Sequence, residues 1–136
     1  VEIDRLFGDL LINVTKFFRD PEAFLVLYRE VFPKLFEGRI DDQPVRIWCA
    51  GCASGEEAYT LAILVKEFLD TCAEPHPEVQ IFATDIDEEA LALARQGSYP
   101  AGIADELGPE HLRRFFVKRS ARYQVSKELR ELVLFS

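Results

Sequence analysis

The sequence predicts an α/β chain built on a parallel sheet, and three observations carry that expectation. Two short β-prone runs, residues 45–49 and 79–84, alternate with two stretches whose apolar residues recur at helical spacing. A loop of small residues, 49–55, joins the first run directly to its helix. The second run closes on the acidic residues Asp85 and Asp87. Strand, helix, strand and helix at these lengths form the βαβα unit that opens a doubly wound fold with right-handed crossovers.

The elements follow in order. Ile3, Leu6, Phe7, Leu10 and Leu11 fall on one face of an amphipathic helix over residues 1–12. Asp20 followed by Pro21 reads as an N-cap with proline at the first helical position. Phe24, Leu27, Tyr28, Val31, Phe32 and Leu35 then continue a helical face as far as Gly38. The short polar segment 39–44 leads into the first strand. From Glu56, the positions Ala58, Leu61, Ala62, Val65, Phe68 and Leu69 restore the helical period, which the proline-broken stretch 74–78 ends. After the second strand, Asp87 can cap a helix bearing Ala90, Leu91 and Ala94, with Gly97 at its C′ position. Gly108 and Pro109 precede a short helical stretch with Leu112, Phe115 and Phe116, while 123–125 and 132–135 read as short strands. Two units are expected, a helical lead-in over residues 1–38 and a partial α/β domain over 39–136.

Composition narrows the class. With 136 residues, 49% of them apolar or aromatic and 29% charged, the chain suits one globular domain and not a disordered or fibrous one. Sixteen Lys plus Arg against 24 Asp plus Glu leave a net charge of −8, which repels nucleic-acid phosphate. No apolar run approaches the roughly 20 residues that cross a bilayer, and no signal-peptide pattern opens the chain, so a cytoplasmic protein is expected. Three cysteines are an odd number and too few for a disulfide framework. The start at Val1 and the apolar stretch 132–136 without a turn signal suggest a chain cut from something longer.

The small-residue loop is the first candidate site. In a parallel sheet such a strand-to-helix turn lies at the carboxyl edge, where adenosine cofactors commonly bind. Its glycines stand only at Gly51 and Gly55, which does not match Gly-x-Gly-x-x-Gly, and no Gly-Lys-Ser/Thr follows. Glu56 and Glu57 sit where a pyrophosphate would meet the helix N-terminus, and two carboxylates there repel an anion while accommodating a cationic or hydroxyl-rich ligand. S-adenosylmethionine has that character, with a positive sulfonium and ammonium and a ribose whose hydroxyls suit a carboxylate acceptor. Asp85, at the same sheet edge, can accept from such hydroxyls. Plain helix capping remains the competing reading for Asp85 and more so for Asp87, and a helix-dipole interaction for Glu56 and Glu57.

Other residues admit chemistry less readily. Cys49-x-x-Cys52 could be a redox pair, and Cys72 with His76 could complete a zinc site. A redox pair, however, wants one sulfur in the helix's first turn, and Cys72 and His76 lie a helix length away, roughly 20 Å. Buried small cysteines are the expectation, with His76 and His111 on the surface. In residues 11–21, Asn13, Thr15 and Arg19 interrupt apolar positions anchored by Phe17 and Phe18. A plain turn, with Asn13 capping and Arg19 pairing with Asp20 or Glu22, accounts for the same pattern.

Taken together, residues 13–21, 50–59 and 83–87 resemble, in order and approximate spacing, the CheR-type chemotaxis receptor methyltransferases. Phe115-Phe116, Tyr123, Val125, Leu129-Arg130 and Val133-Leu134-Phe135 are similar to that family's tail. The resemblance implies a Rossmann-like S-adenosylmethionine-dependent methyltransferase fold, incomplete at its carboxyl end and preceded by two helices. It implies transfer of a methyl group from S-adenosylmethionine to glutamate side chains in the cytoplasmic segments of chemoreceptors, leaving S-adenosylhomocysteine. The net charge, the lack of a spanning apolar run and the poor zinc geometry lead to the expectation of no nucleic-acid partner, no direct membrane insertion and no metal. Carried over by motif position, Asn13, Thr15 and Arg19 contact the cofactor or the reacting centre, with Arg19 as the catalytic candidate. Ala50, Gly51 and Gly55 pass under the methionine moiety, Glu57, in preference to Glu56, lies in the pocket, and Asp85 holds the ribose. Typical members start with a small helical domain and continue into Asn-Leu-Leu and Cys-Arg-Asn-Val segments that this sequence lacks. The rival readings are a non-catalytic methyltransferase-like module serving as sensor or scaffold, and a dinucleotide-dependent oxidoreductase, which the loop carboxylates and the missing third glycine disfavour.

Overall fold

The computed structural model describes residues 15–39 and 43–136. The helix expected over 1–12, together with Asn13, lies outside the described residues. The Asp20 side chain accepts the Ala23 N–H, and Pro21 opens α1 (Pro21–Val26). The helix continues through a π-helical turn (Leu27–Val31) into α2 (Phe32–Phe36), with Gly38 beyond it at φ 68°. The widened turn has a local cause. Pro33 has no N–H for the helical ladder and its ring crowds the carbonyl four residues back, so the Phe32 N–H reaches back to the Leu27 carbonyl instead.

Along the chain follow β1 (Val45–Ala50), α3 (Glu56–Asp70), β2 (Val79–Thr84), α4 (Glu88–Gln96), β3 (Ser98–Pro100), a 3-10 turn (Ala101–Asp105), α5 (Pro109–Phe115), β4 (Phe116–Arg119), β5 (Arg122–Val125), α6 (Lys127–Arg130) and β6 (Val133–Phe135). Strands β1, β2 and β6 form a parallel sheet in the order β1-β2-β6, with Ile47 beside Ile81 and Ile81 beside Val133. The α/β class and the parallel sheet are therefore as expected.

Alternation along these strands decides which face is covered. Val45, Cys49, Val79, Ile81, Ala83, Val133 and Phe135 are buried, and the Phe135 ring meets Tyr59 of α3 at 5.4 Å. Trp48 and Leu134 on the opposite face are exposed. The lead-in docks on the far part of α3, where Tyr28, Phe32 and Phe36 surround Phe68 at 5.6, 5.6 and 5.3 Å.

A second, antiparallel sheet in the order β3-β5-β4 was not anticipated. The segment 123–125 is a strand as expected, but it joins this small sheet and not the parallel one. Phe116, expected at the end of a helix, opens β4 instead. Adjacent Phe115 and Phe116 are both buried, and changing from helix to strand at their junction lets Phe116 reach Phe17 at 5.5 Å.

Candidate functional site

Between β1 and α3 the chain turns on three left-handed residues, Gly51 at φ 69°, Ala53 at φ 49° and Gly55 at φ 97°. Ala53 alone of these carries a Cβ, so its conformation must be imposed by its neighbours. Its N–H donates to Asp85 Oδ2 at 2.8 Å, while the flanking Cys52 N–H donates to the Thr84 carbonyl at 2.9 Å. Asp85 Oδ1 accepts the Asp87 N–H, also at 2.8 Å. Asp85 thus ties the end of β2 to the loop after β1. Capping of α4 falls to Asp87, whose Oδ1 accepts the Glu89 and Ala90 N–H groups at 3.1 Å. Each Asp85 oxygen keeps a lone pair for a further donor.

The two glycines of this turn differ. A Cβ on Gly51 would meet nothing within 4 Å. One on Gly55 would stand 2.9 Å from Ala94 Cβ and 3.0 Å from Tyr99 Oη. Gly55 is needed for backbone conformation and for the close approach of α4, and it sits behind the loop.

In front of the loop, at the carboxyl edge of the sheet, lies a cavity of about 980 Å³. One wall is Gly51 and Ala53 of the loop, Glu57 and Leu61 of α3, and Thr84, Asp85 and Ile86 at the end of β2. Also lining the cavity are Thr15, Lys16, Arg19 and Asp20, which precede α1, and Ala23, Phe24 and Leu27 after them. The structure thus brings Thr15, Arg19, Gly51, Glu57 and Asp85 to one cavity. Ala50 and Gly55 do not line it, and Asn13 is outside the described residues. Leu61, Thr84 and Ile86 were missed by sequence reasoning, although each had a signal: Leu61 stands one helical turn beyond Glu57, and the other two flank Asp85.

Consecutive glutamates on α3 point about 100° apart, and packing separates them. Glu57 is exposed to the cavity, where its Oε2 accepts the Cys49 thiol at 3.6 Å. Glu56 is 9% exposed, its Oε1 accepts the Ser54 hydroxyl at 2.5 Å, and burial raises its pKa. Cys49 and Cys52 are far from reactive. Burial, with Glu57 beside Cys49 and Asp85 beside Cys52, pushes their thiols up to about 12 and about 11. Among the described residues no group of three or more His, Cys, Asp or Glu is placed to hold a metal ion. His111 departs from expectation. It is half-buried, its Nε2 lies 2.7 Å from Glu67 Oε1, and its ring stacks on Phe18. Its acidic partner is 44 positions away in sequence and so had no local signature.

Residues 13–136 match the family described as CheR methyltransferase, SAM binding domain. The chain belongs to that family. A chemotaxis protein methyltransferase of Borreliella burgdorferi is 34% identical over 139 residues, covering 99% of this chain and 48% of that protein. Chemotaxis protein methyltransferase 1 of Pseudomonas aeruginosa is 37% identical over 126 residues, covering 90% of this chain and 46% of its own length. An uncharacterized 104.1 kDa protein of Rhodobacter capsulatus, from the hypE 3′ region, is 37% identical over 135 residues, 99% of this chain but 14% of its own. The chain spans about half the length of these two chemotaxis methyltransferases.

S-adenosylmethionine is the family's cofactor, and the residues present fit it. The cavity volume is at the upper end of the roughly 300–1,000 Å³ typical of small-molecule sites. Two carboxylates, Glu57 and Asp85, face a space left open by Gly51, a donor-poor, acceptor-rich wall suited to a cation with hydroxyls. No described helix is long and apolar enough to cross a membrane.

Proposed function

We propose that the chain is the cofactor-binding part, Rossmann-like in topology, of a protein-glutamate O-methyltransferase acting on cytoplasmic segments of chemoreceptors, with residues 1–38 as its helical lead-in. The observation that carries this reading is the cavity itself, whose lining includes Arg19 together with Glu57 and Asp85. Asp85 would hold the ribose hydroxyls through its free lone pairs, and Glu57 the positive end of the methionine moiety. Thr15 and Gly51 line the space between, and Asn13 would contribute from the adjoining segment.

S-adenosylmethionine, when bound, supplies an electrophilic methyl group on a positive sulfonium. A glutamate side chain is already ionised at neutral pH, with a reference pKa near 4.3, so the protein need not provide a base. What it can provide is alignment, and orientation of two reactants is worth up to roughly 7–11 kcal/mol. Arg19 suits that role, because its planar fork can hold a carboxylate by two hydrogen bonds and keep one oxygen directed at the cofactor side of the cavity. In the full-length protein, Arg19→Ala should cut methyl-ester formation by orders of magnitude while changing affinity for S-adenosylhomocysteine far less. Unchanged turnover would remove Arg19 from the mechanism.

A non-catalytic module within a longer signalling protein is the second reading; the Rhodobacter relative, of which 14% is matched, has a similar stretch within a much longer chain. Calorimetry with S-adenosylmethionine and S-adenosylhomocysteine separates the two, since a scaffold needs to bind neither.

A further inference from the structure

Phe18 has φ 51°, a left-handed backbone that costs a residue with a Cβ about 1–2 kcal/mol. Such a conformation persists only where its surroundings impose it. Here two successive amides are gripped by side chains from distant parts of the chain. The Phe17 N–H donates to Glu106 Oε1 and the Phe18 N–H to Thr60 Oγ1, both at 3.2 Å. The rings are held as well. Phe17 is buried between Tyr99 and Phe116, at 5.1 and 5.5 Å, and Phe18 lies on His111 with centroids 5.2 Å and planes 5° apart. Thr60 is fully buried, and its own hydroxyl proton goes to the Glu56 carbonyl at 2.8 Å, which fixes the lone pair it offers to Phe18.

We propose that Thr60 and Glu106 are positioning residues that, by pinning the Phe17 and Phe18 amides, set Arg19 across the cavity from Glu57 and Asp85. The inference rests on the methyltransferase reading above. Thr60 stands on α3, the helix that also supplies Glu57 and Leu61 to the cavity. The anchor of one wall and the substance of the other therefore belong to one rigid element, and their separation is fixed. Freed of its anchor, Phe18 relaxes to negative φ, the chain direction rotates, and the Arg19 side chain leaves its place.

The test is a double-substitution cycle in the full-length protein. Thr60→Val keeps the shape and deletes the hydroxyl. A displacement of about an ångström at a reacting group can cost roughly 10²-fold in rate, so a turnover loss of about that size is expected. Affinity for S-adenosylhomocysteine by calorimetry should change less than about threefold, and Thr60→Ser should restore turnover. In an Arg19→Ala background Thr60→Val should have no further effect, because both substitutions act on one contact. Glu106→Ala should behave like Thr60→Val, with Glu106→Gln, which keeps an acceptor, near normal; this pair carries the cycle if Thr60→Val does not fold. Equal losses in both backgrounds, or a loss of affinity matching the loss of turnover, would overturn the positioning role. Unsubstituted protein that binds no S-adenosylhomocysteine would instead overturn the methyltransferase reading, so the two failures are distinct.

Discussion

Asp85→Asn tests the tether that the structure gives this side chain and the ribose contact proposed for it. The carboxylate accepts two backbone N–H groups at 2.8 Å, from Ala53 and Asp87. An amide offers one oxygen, so one of these amides will face an NH2 group. A hydrogen bond to a charged group is worth about 1.5–3 kcal/mol net, and for a half-buried side chain about 2 kcal/mol is a fair expectation. With an unfolding entropy of about 2.1 cal/mol/K per residue over 136 residues, that loss lowers the thermal midpoint by about 7 °C. On the proposed function, the same substitution also weakens the acceptor offered to the ribose hydroxyls of the cofactor. One such interaction is worth about 1.4–2.8 kcal/mol, so S-adenosylhomocysteine should bind about 10- to 100-fold more weakly. Circular-dichroism melting and calorimetry on the same samples read both effects. An unchanged midpoint would refute the tether between β2 and the loop, and an unchanged affinity would refute the ribose contact.

Gly55→Ala should lower the midpoint more than Gly51→Ala: both meet left-handed strain, but only at Gly55 does the new methyl stand within 3.0 Å of other atoms, an overpacking of about 1–3 kcal/mol. Thermal unfolding of the two variants decides it, and equal losses would contradict the packing. Burial raises the Glu56 pKa above its ordinary 4.5, so as pH climbs from 4.5 the unfolded chain releases this proton before the folded one, and stability falls with pH through that window. Urea midpoints measured across it should show a flatter profile for Glu56→Gln; an unchanged slope would contradict burial as the cause. Cys49 and Cys52, with thiols pushed up to about 12 and about 11, should react with a disulfide reagent at pH near 8 at least about tenfold more slowly than the less buried Cys72, as peptide mapping of the modified protein would show.

Features whose physics is local were legible in the sequence. Asp20 before Pro21, Asp87 before a helix and Gly97 after it act within four residues of themselves, and each does what its type suggests. The place of Asp85 at the carboxyl edge of the sheet, beside the loop, was legible because it directly follows a parallel strand, although its bond to Ala53 was not. Strands β3 and β4 escaped notice because Ser98–Pro100 ends in a proline and Phe116–Arg119 ends in two basic residues, so neither reads as a β-prone run, and the β3 pairing joins positions as far apart as Ser98 and Gln124. Gly55 looked like part of the loop floor, whereas its reason lies in Ala94 of α4, 39 positions on. Glu56 and Glu57 were nearly equivalent as letters, and only the Ser54 hydroxyl and the packing around it separate them. Thr60 had no signal at all, since its partner is a backbone amide 42 residues away.

That the bend after β1 and the carboxylates of Glu57 and Asp85 form a receptor for an adenosyl amino acid with its ammonium group, and not for a dinucleotide, is met most directly by calorimetric titration of the protein with S-adenosylhomocysteine beside NAD. One-to-one binding of the former, weakened by Glu57→Gln, with no heat from the latter, is the predicted result. No heat from S-adenosylhomocysteine, or binding of NAD as tight or tighter, would contradict it.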